Sequence, residues 1–221
     1  MKNASSHARK LAALLRKLKS QNPAPPPQAP DPVTQLVLAF LQWDATHKLA
    51  EAAYQRLTAA MVDTNDLRVS HPDEVLKVLG ERYPKASERA GRLLDVLQEI
   101  FVREHAVTLT PLAQMGKKEA RAYLDSLPGM TPYVSALVMV ACFAGHAIPV
   151  DDGLARLLLE HGMADADASR EQMASFLEHH VKAGEALEAH HLLQAWADAG
   201  GATGSAKSAK APARKTPPHK R

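Results

Sequence analysis

Cysteine occurs once in the 221 residues, as Cys142, which excludes an intramolecular disulfide and any four-cysteine zinc or iron–sulfur centre. Aromatic residues are only 5% of the chain. No run of about 18 unbroken apolar residues exists, so no membrane-spanning helix is expected and a soluble, cytoplasmic protein is. Alternating apolar and polar residues never persist for the length of a strand, and no segment repeats another. What the sequence does have is 46% apolar residues, dominated by Ala and Leu, which favours helices and suffices for one sizeable core. The fold class read from this balance is all-α.

The formal net charge of +3 conceals a division. Residues 1–32 carry Lys2, Arg9, Lys10, Arg16, Lys17 and Lys19 against Asp31 alone, and residues 200–221 carry Lys207, Lys210, Arg214, Lys215, Lys220 and Arg221 with no acid. The two ends therefore hold +11 and residues 33–199 hold −8. Residues 5–19 read as a basic amphipathic helix with Leu11, Leu14, Leu15 and Leu18 on one side. Proline stiffens the stretch that follows, and the tail from Gly200 is too poor in apolar residues to fold. The expected division is a basic segment over 1–22, a Pro-rich linker over 23–32, a helical domain over 33–199 and a disordered basic tail over 200–221. Flanking cations of this kind suit non-specific attachment to duplex DNA, because neutralising phosphates releases counterions. Plain solvated charge is the alternative, and a basic helix seated on a partner or an anionic membrane surface is a third.

Within the domain, Val37, Phe40, Leu41, Leu49, Ala53, Leu57 and Ala60 keep helical spacing, which predicts one long first helix. Pro72 with Asp73 and Glu74 opens a short helix that Gly80 closes. Ala86, Ala90, Leu93, Leu97 and Ile100 draw a stripe over 85–103, and 116–126 forms another amphipathic segment. Residues 134–144 are apolar on every side, the mark of a helix surrounded by others. Asp152 is placed as the cap of a helix over 153–160, Ser169 and Gln172 form a capping box, and the last helix covers about 185–199.

The informative stretch is 124–156. Leu127-Pro128-Gly129-Met130-Thr131 joins two helices within a few residues, with Gly129 free to take positive φ. A hairpin over 117–144 built this way aims backbone N–H groups outward at the start of its second helix, a small anion site suited to one phosphate of a DNA strand. Ile148-Pro149-Val150 then delivers Asp151 and Asp152 to another helix start. In this order the residues resemble the helix-hairpin-helix DNA glycosylases, the endonuclease III group. Leu127, Pro128, Gly129 and Met130 match the hairpin pattern, and Asp151 falls at the catalytic aspartate. Phe40–Thr46 is similar to the helix that supplies a residue to plug the gap left by a flipped base. His190-His191-Leu192-Leu193 resembles the pair before the cluster segment. The resemblance covers about 33–199. It implies a two-lobed helical architecture with Asp151 at the cleft, base-excision repair activity, double-stranded DNA as partner with no membrane, a monomer, and a nucleoid-associated cytoplasmic location. Hairpins of the family often hold a monovalent cation, which makes that ion the one metal the resemblance allows here.

The departures carry equal information. Tyr133 stands where the family has its lyase lysine, and a phenol forms no imine, so glycosidic hydrolysis without Schiff-base chemistry is expected. Thr131 replaces a glycine, at an expected cost of roughly 1 kcal/mol if positive φ is required. Asp44 stands at the plug glutamine, with Gln42 as a substitute one turn away. The cluster cysteines are missing, so no iron–sulfur cofactor is expected. These changes support the alternative of a catalytically inactive relative that binds DNA or a partner structurally.

Each residue also has a plainer reading. Asp151 is placed either as a carboxylate that stabilises an oxocarbenium-like sugar or as a helix cap, with Asp152 the preferred cap. Gly129 suits a purely structural turn, Tyr133 suits packing at the lip of a cleft, and Gln42 an exposed position without a role. The pairs His179–His180 and His190–His191 lack partners at ligand spacing, so no metal site is expected. Cys142 reads as an inert core thiol.

Overall fold

The computed structural model describes residues 3–21 and 31–202. Most of the Pro-rich linker and of the basic tail lie outside the described residues, and with them the expectation of disorder there. The described residues form eleven α-helices and no strand: α1 Ala4–Gln21, α2 Pro32–Gln42, α3 His47–Ala60, α4 Thr64–Val69, α5 Pro72–Leu79, α6 Ala86–Glu104, α7 Lys117–Asp125, α8 Pro132–Cys142, α9 Asp152–Glu160, α10 Arg170–His180 and α11 Ala186–Asp198. None of the described helices is long and apolar enough to cross a membrane.

Helix boundaries follow the caps. Asp31 accepts from the Val33 and Thr34 amides (3.0 and 3.1 Å) ahead of Pro32 at the first position of α2. Ser169 and Gln172 close the expected capping box on α10. The single long first helix is corrected to two. α2 stops at Gln42, Asp44 turns left-handed (φ 53°), and Thr46 caps α3 by accepting from the Leu49 amide at 3.3 Å. Leu41 and Leu49 are eight residues apart, which preserves helical phase across a break, so periodicity alone could not reveal it. The short α4 went unforeseen because six residues are too few to display a period.

α8 is buried along Tyr133–Val140, as its all-round apolarity requires, and packs on α2, α7 and α11. Helices α2 to α8 form one lobe. The second consists of α9, α10, α11 and, unexpectedly, α1. α1 packs on α11 with Leu11 and Leu18 buried, the Lys10 ammonium donates to the Gly162 carbonyl at 3.0 Å, and Lys19 pairs with Glu188 at 2.7 Å. The folded body is therefore not confined to 33–199. The leucine stripe of the N-terminal segment is a core face, and burying it decides the matter.

Candidate active site and nucleic-acid interface

The hairpin is built as its residues dictate. α7 ends at Asp125, whose carboxylate accepts from the Ser135 hydroxyl of α8 at 2.5 Å, tying the two helices together. Gly129 has φ 81°, and its α-carbon lies so close to α6 that an added Cβ would sit 2.7 Å from the Arg92 carbonyl oxygen. Leu127 is buried beneath the turn, Pro128 is exposed, and Met130 is half-buried. Thr131 corrects the expectation of strain. Its φ is −114°, and its hydroxyl accepts from the Val134 amide at 3.2 Å, capping α8. A glycine is not required there, although the cap now engages one amide, and Pro132 has none to offer. The Gly129 carbonyl accepts from the Arg92 guanidinium at 3.3 Å. With a positive charge already on that carbonyl, the turn is a poor fit for a monovalent cation.

Asp151, not Asp152, caps α9. Its Oδ1 accepts from the Leu154 amide at 2.8 Å and its Oδ2 from the Asp44 amide at 3.2 Å. The residue is 6% exposed. Burial raises its pKa, opposed by the Leu154 amide and reinforced by the charge of Asp44. Asp44 turns inward as well. Its Oδ1 accepts from the Asp152 amide at 2.8 Å, and its Oδ2 meets the Lys85 ammonium at 2.6 Å. Lys85 also reaches Asp152 Oδ2 (3.3 Å) and lies 4.4 Å from the Trp43 ring centroid, while Arg170 holds Asp152 Oδ1 at 2.6 Å. Burial works against the Lys85 charge, but the two carboxylates outweigh it and its pKa lies above the ordinary lysine value. Gln42 is only 7% exposed, so the expected surface position is corrected: α2 turns it into the interior.

Tyr133 is buried, and its hydroxyl donates to Gln194 at 3.3 Å. Burial first, and then the negative charge of Asp151, raises its pKa well above that of free tyrosine, so it stays a neutral phenol. Arg89 was not foreseen as a site residue. Fully buried, it donates to the carbonyls of Phe40, Trp43 (2.5 Å) and Pro84 (2.8 Å), which secures the loops carrying Asp44 and Lys85 to each other. These acceptors include the last carbonyls of α2, the negative end of its dipole. The sequence signal was available: Arg89 lies three residues after Ala86, on the apolar stripe of α6.

Two cavities flank this network. One of about 660 Å³ adjoins the hairpin and is lined by Met130, Thr131, Tyr133, Arg92 and Arg121 among others. The other, about 440 Å³, contains Asp151 with Asp44, Gln194 and Asp198. Lys85 and Asp152 line both. Among the described residues no group of His, Cys, Asp and Glu is arranged to hold a metal ion.

No family model matches the sequence, and no curated protein matches it. Solved structures do match the fold. A trapped endonuclease III–DNA covalent intermediate superposes with a TM-score of 0.68 at 17% identity, covering 86% of this chain and 85% of that one. A thermostable thymine-DNA glycosylase gives 0.60 at 18% identity, covering 88% of each chain. The 3-methyladenine DNA glycosylase of H. pylori, bound to 1,N6-ethenoadenine, gives 0.64 at 14% identity, covering 88% of this chain and 98% of that one. The fold is that of the helix-hairpin-helix DNA glycosylases. In this chain α7 and α8 pack as a helical hairpin, and both cavities are lined from the α2–α8 lobe and from the lobe that α9 opens.

Proposed function

We propose that this protein acts in base-excision repair: it binds duplex DNA at the Leu127–Thr131 hairpin and hydrolyses the N-glycosidic bond of a damaged or mismatched nucleotide, as a monomer and without a lyase step. One observation carries the reading. On a glycosylase fold, a buried carboxylate, Asp151, lines an open recess at the start of α9, where the sequence resemblance puts the catalytic aspartate. In that role the carboxylate stabilises positive charge developing at the sugar C1′ and orients the water that adds there as the base departs with its proton. Tyr133 supplies no amine, so the product is an intact abasic strand, and the chemistry draws on no cofactor.

The test is base release from a panel of damaged and mismatched duplexes. Release that Asp151→Asn abolishes, with strand scission only after alkali and no adduct trapped by borohydride, is the expected result. A trapped adduct would contradict the hydrolytic assignment. Release that survives Asp151→Asn would remove Asp151 from it.

A second reading, a non-catalytic DNA-binding relative, is favoured by a specific feature: both Asp151 oxygens already accept backbone N–H groups, from Leu154 and Asp44. Duplex retention without release from any lesion decides for it. Under either reading the acidic body needs the basic tail, so deleting 203–221 lowers retention at low salt and flattens its salt dependence. Deleting 1–32 would not test the same point, because α1 belongs to the core.

A further inference from the structure

We infer that the Lys85–Asp152 ion pair is a gate between the hairpin-side cavity and the Asp151 recess, and that Lys85 is the positioning residue that opens it when DNA phosphate arrives. The inference rests on the DNA-binding reading above and adds a route for the displaced base. Tyr133 lines the hairpin-side cavity and Asp151 the other. The two cavities meet at Lys85 and Asp152, the residues common to both linings, so the direct path from the hairpin to Asp151 runs past them.

The wall is built to change partners. The Lys85 ammonium is shared between Asp44 (2.6 Å) and Asp152 (3.3 Å) and rests on the Trp43 ring at 4.4 Å, yet its side chain is 32% exposed and that of Asp152 is 59% exposed. The Lys85–Asp152 pair is solvated and exchanges readily, whereas Asp44, 12% exposed, holds the ammonium from the protein side. The backbone around them is held in place. Asp44 and Lys85 both hold left-handed conformations (φ 53° and 51°), and buried Arg89 pins the adjoining carbonyls of Trp43 and Pro84. Motion is thereby confined to the side chains of Lys85, Asp44 and Asp152. An incoming phosphate competes for the ammonium and repels Asp44 and Asp152. Lys85 then leaves Trp43, Asp44 releases the Asp152 amide, and the two cavities join.

The protein has two tryptophans, so 5-fluorotryptophan labelling gives two fluorine resonances, with buried Trp196 as internal reference. The probe is a short duplex carrying a tetrahydrofuran abasic analogue, with binding followed separately by fluorescence anisotropy. Saturation is expected to shift Trp43 but not Trp196 and to speed hydrogen exchange at the Asp152 amide. Lys85→Met should show both signatures without DNA, and Lys85→Arg should restore the closed state. Duplex binding that leaves Trp43 and the Asp152 amide unchanged overturns the gate and spares the DNA-binding reading. Unchanged Asp152 exchange in Lys85→Met also overturns the gate. Absence of duplex binding overturns both.

Discussion

Asp44 and Asp151, 107 residues apart, anchor each other's chain: the Asp44 amide donates to the Asp151 carboxylate, and the Asp44 carboxylate accepts from the amide that follows Asp151. Asp44→Ala removes that acceptor and places alanine in a left-handed conformation that aspartate tolerates better. The expected cost is about 1–2 kcal/mol, read as a lower urea midpoint with an unchanged slope. An unaltered midpoint would mean that the Asp44 carboxylate contributes nothing.

Arg89→Met keeps the length and apolar stem but leaves the Phe40, Trp43 and Pro84 carbonyls without their donor. Unsatisfied buried acceptors cost about 1–3 kcal/mol each, so a loss of roughly 3 kcal/mol or more is expected, a fall of about 6–12 °C in Tm by calorimetry.

Two glycines should respond in opposite directions. Gly129→Ala combines positive φ with a 2.7 Å clash against the Arg92 backbone and should cost about 3 kcal/mol. Gly91→Ala lies inside α6 with nothing within 4 Å of its new methyl group, and should stabilise by about 0.5–1 kcal/mol. Thermal melts of the pair check both.

His190 is buried in α11, and burial lowers its pKa to about 3. The unfolded chain binds this proton near the ordinary value of 6.5 and the folded chain does not, so stability holds above pH 6.5 and falls as pH drops from there toward 3. The slope from this group is about 1.4 kcal/mol per pH unit at most. Denaturation series for His190→Gln should show a weaker acid dependence in that window.

The Cys142 thiol has its pKa pushed up to about 12, chiefly by burial. Alkylation by iodoacetamide at neutral pH should be far slower than for a free thiol, becoming fast only on unfolding.

Local chemistry wrote much of this protein into its sequence. The α8 core helix, the Gly129 turn, the Ser169 capping box and the all-helical class each depend on residues within one or two turns, so spacing and cap identity were enough to read them. The fate of the leucine stripe at 11–18, the break near Asp44, the choice of Asp151 over Asp152 as cap, and the Lys85–Asp152 wall could not be read that way. Each depends on groups brought together from distant parts of the chain: α1 finds its partner in α11, Asp44 finds the amide of Asp152, and Arg89 collects carbonyls from two loops. Whether a carboxylate caps a helix, faces a recess or is covered by its neighbour is a matter of burial and available donors, and those exist only once the lobes have packed.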